Sequence, residues 1–93
     1  MMSMHVFINE ARGGALLPAS FACRDCRRKV RPAARTIRVV RLPVLHSVMA
    51  GVCSGCGASH LVITAKTKAD CVALEAVAER MAQNMAREVF GEP

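Results

Sequence analysis

The chain has 93 residues, 53% of them hydrophobic, with a formal net charge of +6 and neither Trp nor Tyr. That length makes one domain, near the size at which a hydrophobic core alone is marginal, and Phe7, Phe21 and Phe90 are its only large aromatic anchors. Arg and Pro interrupt every apolar run before it could span a bilayer, so the expectation is a cytoplasmic protein without a membrane partner.

Residues 1–20 hold a short apolar stretch, Met4 to Ile8, and then Asn9-Glu10-Ala11-Arg12-Gly13-Gly14, where the Gly-Gly pair marks a turn or an arm. A first strand and a disordered leader both fit. Phe21 leads into the first cysteine pair and is expected in the core. From Thr36 to Val52 the chain is rich in β-branched residues, with Pro43 breaking the run, which predicts two strands. Arg35, Arg38 and Arg41 recur every third residue and would fall on both faces of a strand, so a short helix over Ala33 to Val40 is the alternative. Ser59 to Ala65 reads as a strand.

The remainder reads as one long helix over 67–90. Thr67 is placed to cap its first turn, with Asp70 three residues on, and Gly91 and Pro93 supply a stop. Leu74, Val77, Ala78, Met81, Met85 and Val89 follow the three-and-four spacing of a buried stripe. Ala78, Ala82 and Ala86 flank it and would permit close approach of another helix, a partner protein or a second copy of the chain.

Cys23, Cys26, Cys53 and Cys56 form two CxxC pairs. Two thiolates two residues apart can grip one ion from a tight turn, and a second such turn completes the four soft ligands of tetrahedral Zn2+. A disulfide framework needs an oxidising compartment, and the start Met1-Met2-Ser3-Met4-His5 lacks the charged-then-apolar pattern of a secretory leader. A thioredoxin-like motif needs a CxxC that opens a helix, and Cys53-Ser54-Gly55-Cys56-Gly57 is too glycine-rich for that. Redox chemistry and unliganded core thiols remain the alternatives. Metal ligation contributes roughly 10 to 16 kcal/mol in small zinc peptides, comparable to the net stability of a whole domain.

The chain between the pairs, residues 27 to 52, is long enough for a hairpin to leave one knuckle and return to the other. In Cys23-Arg24-Asp25-Cys26 and Cys53-Ser54-Gly55-Cys56-Gly57 the sequence resembles the zinc-ribbon group over about residues 21–65. The resemblance implies an α+β fold, a small zinc-ribbon-like antiparallel sheet with the long helix added. It also implies a closed structural site without metal catalysis. The first knuckle departs from the pattern, with Arg27-Arg28-Lys29 after Cys26 where glycine is usual, and the helix begins too far beyond Cys56 for a treble clef. His60 and Cys71 are substitutes for a ligand, but Cys71 suits a buried helix position and His60 a strand surface or edge.

Charge is uneven. Arg12, Arg24, Arg27, Arg28, Lys29, Arg31, Arg35, Arg38 and Arg41 face a single acid, Asp25, within their stretch, and the rest of the chain is slightly acidic. Phosphates suit such a patch, because Arg forks onto them and displaced counterions add salt-sensitive affinity. Arg24, Arg27, Arg28, Lys29, Arg31, Arg35, Arg38 and Arg41 are therefore candidates for nucleic-acid binding by an accessory or regulatory factor. The alternatives are a zinc-stapled protein-interaction module and a solvated basic surface. No helix rich in Asn, Gln and Arg offers to read bases, and the lack of Tyr and Trp disfavours stacking on single strands. Glu75 and Glu79 suit a solvated helix face, and no phosphate-cradling loop or Ser-His-Asp set is visible, so an enzyme is not expected. The Ala, Arg and Val content points to a GC-rich bacterial or phage genome.

Overall fold

The computed structural model describes residues 4–13, 16, 21–23, 25–30 and 33–90, without the side chains of 35, 89 and 90. Gly14, Gly91 and Pro93, assigned above to a turn and a helix stop, and the side chains of Val89 and Phe90 lie outside that description. The fold is α+β. Met4 to Glu10 form strand β1, Phe21–Ala22 β2, Lys29–Val30 β3, Arg38–Val40 β4, His46–Val52 β5 and Ser59–Ala65 β6; helices α1 (Lys68–Glu75) and α2 (Ala78–Phe90) follow. Pairing gives a four-stranded sheet in the order β1-β6-β5-β4 and a separate two-stranded hairpin of β2 and β3.

The β-branched run divides around a cis Leu42–Pro43 bond into β4 and β5, as its composition predicts, and the alternative helix over 33–40 shrinks to a 3-10 turn at Ala34–Thr36. The apolar stretch near the start is a strand. It runs parallel to β6, from Met4 opposite Ser59 to Glu10 opposite Ala65, whereas β5 and β4 join antiparallel, so the sheet is mixed. The physical reason lies in the face it completes. Val48 and Ala50 of β5 and Leu61, Ile63 and Ala65 of β6 meet Leu74 and Met85, and Met4, Val6 and Ile8 extend the same apolar surface beneath the helices.

The long helix is in fact two. Thr67 accepts the Asp70 amide at 3.1 Å and caps α1 as expected. At Val77, however, the amide bonds the Leu74 carbonyl three residues back, and the chain tightens before α2. Neither Gly nor Pro marks the place. The two segments serve different supports, α1 resting on β1 and β6, and α2 on β1, β5 and the 3-10 turn. No helix among the described residues is long and apolar enough to cross a membrane.

Both faces of β6 are buried, which accounts for its unbroken Leu61-Val62-Ile63. On the face away from the helices, His60 lies fully buried among the rings of His5, Phe7 and Phe21 at centroid distances of 5.4, 5.8 and 5.5 Å. It is an interior residue, not the strand surface expected of it, and neither ring nitrogen has a hydrogen-bond partner among the described residues. Burial, and then the neighbouring His5, hold its pKa below the ordinary imidazole value.

Thr36 does the work of a missing strand residue. Before β4 begins, its hydroxyl accepts the Ala50 amide at 2.9 Å, and its proton lies between the carbonyls of Ala33 at 2.7 Å and Ala50 at 3.1 Å. The Ala33 amide also donates to the Ala50 carbonyl at 2.8 Å.

Two outcomes follow from these buried polar groups. Thr36→Val keeps the shape but strands the Ala50 amide, and denaturant unfolding is expected to show a loss of about 1–3 kcal/mol; an unchanged midpoint refutes the role. The unfolded His60 takes a proton near pH 6.5 and the folded one only at lower pH. Stability from this group is therefore complete above about pH 6.5 and falls as pH drops below it. Thermal melts of His60→Phe between pH 7 and 5.5 should decline less than those of the parent, and parallel curves count against it.

Candidate metal centre

Each cysteine pair sits in the turn of a hairpin, the first between β2 and β3, the second between β5 and β6. The two turns share one backbone plan. Cys23 N–H donates to the Arg28 carbonyl at 2.7 Å and Arg27 N–H to the Cys23 carbonyl at 2.9 Å; Cys53 N–H donates to Ala58 at 2.8 Å and Gly57 N–H to Cys53 at 2.8 Å. Both turns place the residue after the second cysteine in the left-handed region, Arg27 at φ +63° and Gly57 at φ +76°. Glycine makes that conformation easy in the second turn, and the first adopts it with an arginine.

The four sulfurs converge from the two turns and all lie within 4.8 Å of one another. Cys23 Sγ is 3.5 Å from Cys56 Sγ, and Cys26 Sγ is 3.2 Å from Cys53 Sγ, too far for disulfides. Four thiolates around zinc at about 2.3 Å would stand roughly 3.8 Å apart, so small shifts of the side chains make a tetrahedron. The cluster can therefore hold a metal ion such as zinc. Cys23 and Cys53 are buried in a small core with Val30, flanked by Phe21, Cys26 and Ala58, whereas Cys56 is exposed. Phe21, expected in the core, packs against this small cluster but is only half-buried.

The thiols are electrostatically unequal. Cys26, and then the Cys56 amide, hold Cys53 down to about 6. At Cys56 the Ala58 amide favours the thiolate, yet the Cys23 thiol and burial outweigh it and push the group up to about 12. Sulfurs this close cannot all ionise unaided, and a dication is what allows four thiolates to share the space, with release of their protons.

Cys71 and His60 stand apart from the cluster. Cys71 packs against the main core, and burial, then the charge of Glu10, raises its pKa. The basic residues are divided by the fold. Arg27, Arg28 and Lys29 are exposed at the first knuckle. The Arg28 side chain lies against Gly55 of the other knuckle, where a β-carbon would stand 3.0 Å from its Cδ. Arg38 Nη2 donates to both carboxylate oxygens of Glu88, at 2.7 and 2.8 Å. Arg41 follows β4 at the opposite end of the β4–β5 ladder, the length of β5 or roughly 20 Å from Cys53. Arg24, Arg31 and the Arg35 side chain lie outside the described residues. Sequence reasoning missed the contact between Arg28 and Gly55, for which the glycine inside the second knuckle was the available signal.

Elemental analysis is expected to find one metal ion per chain, and strong chelation to abolish the folded signal of residues 21–30 and 53–58. Cys53→Ser should lose the metal and lower the thermal midpoint; if both stay at the parental level, the shared site is wrong. Comparison of the chain with protein-family models, curated proteins and solved structures finds no match to any of them.

Proposed function

We propose that the chain is a structural-zinc module of zinc-ribbon type that binds the phosphate backbone of nucleic acid through its first knuckle, as an accessory or regulatory factor rather than an enzyme. One observation carries the reading: Arg27, Arg28 and Lys29 stand exposed on a turn whose backbone a metal would hold. Asp25, the acid among them, lies instead 3.5 Å from His5 Nε2. Arg27, Arg28 and Lys29 outnumber that one acid, so the field at the knuckle stays positive for a ligand, and the fixed backbone removes part of the ordering cost of binding. Zinc acts here as a staple, since four sulfurs fill its coordination and leave no position for a reacting group.

A second reading, docking to a protein, is favoured by a different feature. Between α2 and β4 with the loop after it lies a groove of about 410 Å³ lined chiefly by Val40, Leu42, Pro43, Val77, Met81 and Met85. Leu42 at its mouth is 79% exposed. Met-rich surfaces adapt to apolar partners.

The deciding measurement titrates a labelled duplex and a labelled single strand at two salt concentrations. With about three phosphate contacts, raising salt from 50 to 200 mM should weaken duplex binding on the order of tens-fold. Arg28→Glu with Lys29→Glu should abolish it while metal content stays at the parental level. Absence of binding at low salt rejects the nucleic-acid reading in favour of docking.

A further inference from the structure

The two knuckles are built alike in every backbone bond described above, and they differ at one conformationally critical position. The second has Gly57 at φ +76°, the first Arg27 at φ +63°. Left-handed backbone is costly for any residue with a β-carbon, and a long charged side chain has no intrinsic liking for it. A side chain that earned its place through the fold would be expected to make contacts there. Arg27 is exposed, and neither a hydrogen bond nor an ion pair engages its guanidinium among the described residues. Its neighbour behaves otherwise, because the Arg28 side chain lies along Gly55.

We infer that Arg27 is a dedicated phosphate contact, held in an unfavourable backbone conformation by the metal-bound turn so that its guanidinium projects from the knuckle toward a phosphodiester. This rests on the nucleic-acid reading above and singles out Arg27 within it as the contact whose direction the left-handed turn fixes. The left-handed turn points the residue in a direction that an extended or helical backbone would not, and the planar fork of the guanidinium suits two phosphate oxygens. The turn needs the backbone of Arg27 but not its side chain, and a strained position given a side chain that the fold does not use points to function.

The fold and the ligand are expected to answer a substitution here in opposite directions. Arg27→Gly should keep the parental metal content and raise the thermal midpoint by up to about 5 °C. It should also weaken duplex binding about five- to tenfold at 50 mM salt and reduce the salt slope by about one contact. Arg27→Asn, which tolerates the left-handed region, should lose binding in the same way, and Lys68→Ala, an exposed cation of α1, should not. If the parent binds and both Arg27 variants bind equally well, the role of Arg27 is overturned while the nucleic-acid reading stands. Loss of metal or a lower midpoint in both variants makes Arg27 a structural residue and likewise overturns it. If the parent binds neither duplex nor single strand at low salt, the inference and the reading beneath it fall together.

Discussion

Four sulfur atoms meeting at one point tie the two hairpins of this chain together, and most of what surrounds them is too slight to do so alone. β2 and β3 are two residues each, and an isolated hairpin of that size has no stability in water. The local core offers Cys23, Val30 and Cys53 with only Phe21, Cys26 and Ala58 around them. Ligation of one ion would replace the apolar area that a larger aromatic cluster would otherwise supply. The second hairpin, by contrast, needs no such help at its far end, where β5 and β6 are embedded in the main sheet. The knuckle of β5 and β6 is thus an anchor, and the knuckle of β2 and β3 is what it holds.

This division explains why the chemistry of the two turns differs. The anchored turn carries glycines, one of which allows the left-handed backbone while the other leaves room for Arg28. The held turn carries the charges. Burial on both faces of β6 fixes the platform from which it projects, and His60 with its ring of aromatic neighbours fills the space beneath it. Arg27, Arg28 and Lys29 outnumber Asp25, so the turn keeps its basic character.

Much of this was legible in the residues. The CxxC spacing brought four thiols to one place, Pro43 divided the strands, and Thr67 began the helix, because each rests on local stereochemistry that tertiary context seldom overrides. What could not be read were the long-range choices. The parallel partnership of β1 depends on a strand more than fifty residues away. The break at Val77 follows from the sheet beneath it, with no glycine or proline to announce it. The run of arginines looked continuous in sequence, yet a 3-10 turn, a three-residue strand and a loop send Arg35, Arg38 and Arg41 to separate elements. Thr36 is an ordinary β-branched residue until Ala50 is found opposite it.

The parallel pairing of β1 with β6 also sets an order of events. Synthesis delivers Met4 to Glu10 well before the strand they join, which is completed only at Ala65. Throughout that interval an apolar, strand-forming segment has no place to dock, while the hairpin of β5 and β6 can close locally as soon as it emerges. β1 can therefore join the sheet only after β6 has been made, and until then its apolar segment is open to other contacts.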